Sequence, residues 1–279
     1  MQIDAQLSSR IGAWVVLLAG VSLSAAALAQ NSGQGGPGQA APAAAEAPPP
    51  LSALAPANLA KPRPKPPFNL TGTWFVDLAH GGFQFGPPYP RFKPAAQASF
   101  DEARKAAASG HAYKDDIGAG YPAGLPVIMT RVWPIAMIQL PTAIYMISGF
   151  ENALRIIYLD GRRHTDPDVV VRSYNGESIG RWEGDTLVVD TTAFISEHHW
   201  IDNGIPVSDD FHVVERISLQ NGGKELEIKY TMTDPQNWDG EWTSTKHWKR
   251  VDDQDITEVE FTPDLDKHLP STQSELNIR

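Results

Sequence analysis

Residues 178–194 read SIGRWEGDTLVVDTTAF, and this stretch decides the fold class of the chain. An aromatic-bearing segment is followed by Glu183-Gly184-Asp185 and then by a β-branched run over residues 186–192. Turn residues between two segments of high strand propensity predict a β-hairpin. The stretch contains no nucleophile motif, phosphate-binding loop or metal-ligand spacing, so it predicts architecture rather than activity.

Short strands separated by turn residues make up most of the chain after residue 68. About ten strands are predicted, over residues 70–77, 135–140, 143–147, 152–159, 174–182, 186–194, 211–219, 225–233, 242–250 and 255–261. Antiparallel strands at this spacing are typical of a closed barrel or a sandwich, and no pattern indicates parallel α/β units. We therefore predict an all-β fold built as an antiparallel β-barrel.

One segment has the composition of a helix. Residues 94–109 are dominated by alanine, a proline stands near the start, and Gly110 follows the end. The flanking segments, residues 80–92 and 111–126, are rich in glycine, proline and aromatic residues. We expect one helix and two long Gly/aromatic loops over one mouth of the barrel.

Residues 1–29 have the pattern of a secretory signal peptide. Arg10 precedes an apolar stretch over residues 11–23, and Ala27-Leu28-Ala29 supplies the small residues of a cleavage site. The apolar stretch is shorter than the about 20 residues that a membrane-spanning helix needs. We expect cleavage after Ala29 and a periplasmic or secreted mature protein without membrane insertion.

The mature chain is predicted to have two parts. Residues 30–67 consist mainly of Ala, Pro, Gly and Gln, a composition that favours a disordered or polyproline-like linker. Residues 68–279 are long enough for one β-barrel domain with a sizeable core.

Composition excludes several classes of function. The formal net charge of −10 argues against nucleic acid as a partner, because a phosphate-binding domain is expected to be basic. No basic amphipathic helix supports binding to a membrane surface. The chain has no cysteine, so packing rather than disulfides must hold the exported domain. Its 8 Trp, 7 Tyr and 10 Phe either fill the core or line a cavity for a small organic ligand.

Two charged residues interrupt apolar strand faces. Glu215 stands between Val213 and Ile217, and Arg155 shares a face with Ile157. A carboxylate in such a place is costly unless it is paired or lies in a polar cavity. One interpretation is a buried ion pair between strands; the other is an acid or base in a barrel cavity.

The candidate catalytic residues follow from the second interpretation. Glu215 would act with Arg155 or Arg181 as its partner, His212 begins the same strand as Glu215, and Asp190 is a further polar residue of the hairpin. No cofactor is implied, because the glycine-rich segments do not open a helix after a strand. A serine hydrolase is not indicated either, since the chain has no G-x-S-x-G motif.

The remaining histidines are interpreted structurally. His198, His199 and Asp202 offer metal-ligand chemistry, but no histidine pair has helical spacing and no cysteine assists, so no metal site is predicted. His164 is interpreted as a turn residue.

Aromatic residues are the candidate ligand-binding groups. Loops on a rigid scaffold are where binding usually concentrates. The predicted ligand-binding residues are Phe85, Tyr89, Tyr121, Trp133 and Trp182. The alternative is that these side chains fill the barrel.

Two resemblances add to these patterns. Residues 71–74, TGTW, resemble the G-x-W signature of lipocalin-like (calycin) barrels, in which the tryptophan plugs the closed end. The chain also resembles a large family of exported bacterial proteins of unassigned function that carry a G-R-W-E-G-D-T-L-V-V-D-T block. The matching positions are residues 160–162, 164, 178–187, 208, 212, 215–216 and 234–235. That family has Gly where Ala193 stands and a C-terminal cysteine that this chain lacks, so the resemblance implies one exported β-rich domain but no disulfide.

Taken with the lipocalin-like architecture, these residues predict an exported, cofactor-independent enzyme. It would use acid/base chemistry, as a lyase, isomerase or hydrolase, on a small, partly apolar, aromatic or glycosidic molecule. One alternative is a non-catalytic carrier of an apolar molecule, which needs only an apolar lining. The other is a structural or assembly protein of the envelope, which would present a flat apolar patch.

Overall fold

The computed structural model describes residues 49–80, 82, 84–111, 113–114, 116–202 and 204–259. The predicted signal peptide and residues 30–48 of the predicted linker lie outside the described residues. Over the described part of the chain, no helix is both long and apolar enough to span a membrane.

Thirteen strands and two α-helices are present in the described residues. The helices are α1 (Pro56–Leu59) and α2 (Pro94–Ala108), and single 3-10 turns lie at Val127–Met129 and Asn221–Gly223. The strands are β1 (Gly72–Val76), β2 (Arg91–Phe92), β3 (Ile135–Gln139), β4 (Ala143–Ser148), β5 (Leu154–Tyr158), β6 (Glu177–Glu183), β7 (Thr186–Thr192), β8 (Trp200–Ile201), β9 (Ile205–Pro206), β10 (His212–Gln220), β11 (Glu225–Thr233), β12 (Trp238–Asp239) and β13 (Trp242–Val251).

Nine of these strands close into a barrel, which confirms the predicted all-β class. The order around the barrel is β1-β13-β11-β10-β7-β6-β5-β4-β3, and β1 pairs with β3 to close it. The short strands form two separate pairs, β2 with β12 and β8 with β9. The predicted strand at residues 255–261 is not formed over residues 255–259, and its last two residues lie outside the described part.

The barrel differs from the prediction at one contact. Eight of the nine neighbouring strand pairs are antiparallel, but β5 and β6 are parallel, with Ile157 opposite Ser178 and Tyr158 opposite Ile179. A parallel pair needs a crossover connection, because a tight turn can only reverse the chain direction. Residues 159–176 provide that connection. They contain no periodic pattern from which the parallel direction of β6 could be predicted.

The hairpin of β6 and β7 forms as predicted. Glu183 pairs with Thr186, so only Gly184 and Asp185 make the turn. Gly184 has φ 56°, the left-handed conformation that glycine adopts without steric cost at the first central position of such turns. This turn fixes the register, and therefore which residues of β7 point inward.

Aromatic side chains dominate the core. Trp74, Trp238, Trp242 and Trp248 are at most 1% exposed. Trp74 Nε1 donates to the Leu70 carbonyl oxygen at 2.8 Å, and the Arg250 guanidinium lies 4.3 Å from the centre of a Trp74 ring. All four tryptophans belong to one buried hydrophobic cluster, consistent with packing in place of disulfides.

Residues 49–67 belong to the predicted linker, but part of this segment packs against the barrel. Asn58 on α1 is 2% exposed, and its Nδ2 donates to Asp160 Oδ2 at 2.9 Å. Thr142 Oγ1 donates to the Ala53 carbonyl oxygen at 2.7 Å. The interpretation as a disordered linker does not hold for this part, because these specific hydrogen bonds tie it to the rest of the chain.

Candidate functional site

Inside the barrel, Arg155 on β5 and Glu215 on β10 form a buried ion pair. Arg155 is 3% exposed and Glu215 is 0% exposed. Arg155 Nη1 donates to Glu215 Oε1 at 3.0 Å, and Nη2 donates to Glu215 Oε2. The prediction that Glu215 points into the barrel beside Arg155 is confirmed.

Hydroxyl groups complete this interior cluster, which comprises Arg155, Ser178, Thr191 and Glu215. Arg155 Nε and Nη2 donate to Ser178 Oγ at 3.2 and 3.1 Å, and Nη2 also donates to Thr191 Oγ1 at 3.3 Å. Tyr230 lies opposite Glu215 in the strand register, and burial together with the charge of Glu215 raises its pKa well above the ordinary value of 10.0. A bidentate, fully buried pair with saturated donors matches the structural interpretation of Glu215.

On the outside of the barrel, Asp190 of β7 lies between two histidines. His164 Nε2 is 2.8 Å from Asp190 Oδ1, and His212 Nε2 is 3.1 Å from Asp190 Oδ2. The side chains of His164, Asp190 and His212 are 29%, 29% and 37% exposed. We call these three residues the His–Asp–His cluster; unlike the interior cluster, it is partly exposed to solvent.

His164 is held on both sides by carboxylates. Its Nδ1 is 3.1 Å from Glu177 Oε2 and 3.3 Å from Thr192 Oγ1. The hydrogen bond to Asp190, supported by the one to Glu177, raises the pKa of His164. The same bond to His164, together with His212, holds the pKa of Asp190 well below its ordinary value. This arrangement favours an imidazolium at His164 and a carboxylate at Asp190.

His212 is the member of the cluster with spare hydrogen-bonding capacity. Its Nε2 approaches Asp190 without meeting hydrogen-bond geometry, and within the described residues no hydrogen bond reaches Nδ1. If Nε2 carries the proton and points at Asp190, Nδ1 presents a lone pair. A carboxylate beside one nitrogen of a histidine, with the other nitrogen free to exchange a proton, is the arrangement used for general acid–base catalysis.

A partly apolar loop lies beside the cluster in sequence. The loop runs from His164 to Arg172, whose Nη1 donates to the carbonyl oxygens of Phe194 and Asp209 at 3.1 and 3.0 Å. Val169 and Val171 of this loop are 71% and 90% exposed. Exposed aliphatic side chains in the loop that carries His164 are the kind of group that contacts the apolar part of a ligand.

Arg181 lies elsewhere than the sequence predicts. It is 61% exposed on the outer face of β6, where its Nη2 is 2.9 Å from Glu183 Oε1. Because side chains alternate along a strand, Arg181 has the opposite orientation to Ser178 and Gly180, which face the interior. It therefore cannot be the partner of Glu215.

The predicted ligand-binding aromatics lie in separate surroundings. Phe85 is 0% exposed and packs edge-on against Tyr230, and Tyr89 contacts Phe100 and Trp242. The remaining ring contacts are Tyr121 on His198, Trp133 near Phe150, and Trp182 against Phe68. Phe85 and Tyr89 thus share the core around Trp242, and the other three contact different partners.

The loop histidines also separate. His199 is 1% exposed, with Nδ1 2.9 Å from the Ile195 carbonyl oxygen, and burial lowers its pKa to about 4. His198 instead stacks on Tyr121 and approaches Asp116 at 3.2 Å. In the described part of the chain, no group of three or more His, Cys, Asp or Glu side chains could hold a metal ion.

Two residues of the outer site were missed from sequence. His164 lies within the crossover connection and Glu177 is the first residue of β6, and the chain path between them brings the two side chains to 3.1 Å. A usable signal was present on the hairpin. Glu177 pairs with Thr192, two positions from Asp190, so the alternation already placed two carboxylates on one outer face.

Comparisons with known proteins identify no relative of this chain, so the proposed function is argued from the geometry of the site. No protein-family model matches the chain, and no curated protein shows significant similarity to it.

Proposed function

We propose that the protein is an exported, cofactor-independent enzyme that transfers protons by acid–base chemistry at the His–Asp–His cluster. The substrate would be a small organic molecule that binds on the outer face of β7 and β10. The observation that carries the proposal is Asp190, held between His164 and His212 and exposed to solvent.

The roles of the three residues follow from their contacts. His212 would remove and return a proton through Nδ1, while the Asp190 carboxylate, 3.1 Å from Nε2, would stabilise the imidazolium that forms. His164 would stay charged between Asp190 and Glu177, fixing the position of the Asp190 carboxylate. No metal or organic cofactor is needed for these steps.

The proposal moves the chemistry from the barrel interior to its outer face. Glu215 and Arg155 satisfy one another at almost zero exposure, so a ligand would have to break a buried bidentate pair to use either group. Breaking such a pair costs about 3–5 kcal/mol. Asp190 and His212, which were also predicted as catalytic residues, are partly exposed and need no such rearrangement.

A substrate panel tests the proposal. Mature protein (residues 30–279) would be assayed on aryl esters, lactones, aryl glycosides and uronides, beside D190N, H212Q and the control H111Q, which alters an exposed histidine in another loop. We expect turnover by the wild type and by H111Q, and a loss of about 10²–10⁴-fold in D190N and H212Q. Absence of turnover on every substrate, or turnover that survives in D190N and H212Q, would overturn the proposal.

A second candidate function rests on a different surface. On the outer faces of β3, β4 and β5, Ile138 and Leu154 are 45% and 52% exposed, with the half-buried Tyr145 and Ile147 between them in the strand register. A flat apolar patch of this kind favours an envelope assembly protein. I138S/L154S would then abolish capture of envelope components while leaving any turnover at His212 unchanged.

A further inference from the structure

An open cleft of about 630 Å³ lies along β10, β11 and β13. Within the described residues its lining contains no carboxylate, although the whole chain has a formal net charge of −10. The loop before α2 contributes Gln84, Gly86 and Pro87, and Tyr230, Ser244 and Lys246 line the cleft from the opposite face of their strands. The outward-facing strand residues that line it are Arg216, Lys229, Thr231, Thr243 and Thr245. We call this feature the β11–β13 cleft.

The outward-facing lining residues belong to two rows of one sheet. Arg216, Lys229 and Thr245 are directly opposite one another on neighbouring strands. Thr231 and Thr243 form the next row on the same face. Side chains that share a face and a register lie within reach of one another, so the outward-facing part of the cleft lining combines two cations with three hydroxyl groups.

The cleft shares a face with the His–Asp–His cluster. Asp190 is opposite Val214, and Val214 is opposite Thr231, so two strand spacings separate Asp190 from the cleft, about 10 Å. His212 and Arg216 both point outward from β10, about 13 Å apart along the strand. A molecule of two or three sugar units would span this distance.

The two cations are only lightly held by protein carboxylates. Arg216 Nη1 is 2.9 Å from Glu183 and Lys229 Nζ is 3.1 Å from Glu227, but the Arg216 and Lys229 side chains are 48% and 62% exposed. Exposed ion pairs of this kind contribute little and exchange readily. A ligand carboxylate can therefore replace Glu183 or Glu227 without leaving a buried charge unpaired.

Resting on the acid–base function proposed above, we infer that the β11–β13 cleft binds acidic oligosaccharides. Carboxylates of the sugar chain would contact Lys229 and Arg216, and its hydroxyls would contact the threonines, which both donate and accept hydrogen bonds. The adjoining sugar would lie over His212. Binding energy from the distant unit would then hold the reacting unit in place.

The test is binding of a galacturonate trimer, measured by calorimetry and by backbone NMR shifts. Three comparison ligands are its methyl ester, a neutral trisaccharide and an oligo-glutamate of equal charge. Lys229→Gln is the cleft variant, and Lys224→Gln, which changes another exposed lysine outside the cleft, is the matched control. Circular dichroism would establish that both variants keep the fold.

We expect the trimer to bind wild type and K224Q equally and K229Q about ten- to a hundredfold more weakly, with shifts confined to β10, β11 and β13. Methyl esterification should weaken binding similarly. Equal binding of the acid and its ester, equal or tighter binding of oligo-glutamate, or an unchanged affinity in K229Q would overturn the inference. D190N should bind the trimer with wild-type affinity, because Asp190 is not part of the cleft. If D190N keeps both binding and turnover, the proposed function fails while the inference about the cleft stands.

Discussion

Asp190 and Thr191 are neighbours on β7, yet they belong to polar clusters on opposite faces of the same sheet. Thr191 joins Arg155, Ser178 and Glu215 inside the barrel, where the guanidinium donors are satisfied and exposure is near zero. Asp190 joins two half-exposed histidines outside. The comparison teaches that the strand alternation separates a charge pair that stabilises the fold from one that is available to a ligand.

The largest expected effect concerns the interior cluster. Glu215→Ala leaves the Arg155 guanidinium buried without its carboxylate, so the free energy of unfolding should fall by about 3–5 kcal/mol. Urea denaturation measures this, and E215L/R155L is the matched control, because it removes both charges and should recover much of the loss. If E215A has the same urea midpoint as the wild type, the Arg155–Glu215 pair does not contribute to the stability of the fold as argued.

A buried polar group outside the barrel extends the comparison. Asn58 is 2% exposed, and its side chain donates to Asp160 and to the Ser52 carbonyl oxygen and accepts from Arg63. Asn58→Ala should lower the free energy of unfolding by about 1–3 kcal/mol, since partners of a buried amide lose their bonds. Deleting residues 31–48 should leave the melting temperature unchanged by comparison. An equal effect of both changes would contradict the packing of this segment.

The His–Asp–His cluster should make the stability of the fold depend on pH. The pKa of His164 is raised in the folded protein, so its stabilisation is complete below the unfolded value of about 6.5 and is lost as pH rises through the folded value. The pKa of His199 is lowered to about 4, so this residue changes the stability only between about pH 4 and 6.5, below the neutral-to-alkaline range. We expect urea midpoints to fall between neutral and alkaline pH in wild type, and to fall less in His164→Gln. Parallel curves for the two proteins would show that the cluster carries no such linkage.

The smallest expected effect lies where β7 leaves the barrel. Ala193 has φ 61°, a left-handed conformation that costs an alanine about 1–2 kcal/mol. Ala193→Gly should raise the free energy of unfolding by about 0.5–1 kcal/mol, after the added chain entropy of glycine is subtracted. Thermal melting measures the shift, and Ala143→Gly, within β4, should shift it the other way.

Much of the fold could be predicted from the sequence because alternation and turn chemistry are local. The position of Glu215 between Val213 and Ile217 was enough to place it inside, and Glu183-Gly184-Asp185 was enough to set the hairpin. The partners of Asp190 were not predictable in this way. His164 reaches it through a parallel crossover, which is set by packing over long sequence separation and has no short-range signal. Arg181 is three positions from Ser178 on β6, so strand alternation places the two side chains on opposite faces and Arg181 outside the barrel.

The parallel contact has a mechanical consequence. Only two residue pairs join β5 to β6, whereas seven join β6 to β7, so this seam is where the wall should open most easily. Glu177 and Ser178 are adjacent on β6. Glu177 contacts His164 outside the barrel, and Ser178 accepts a hydrogen bond from Arg155 inside it. Local opening between β5 and β6 would weaken both hydrogen bonds at once. Faster amide exchange at this contact should therefore accompany weaker ordering of Arg155 inside the barrel and of His164 outside it.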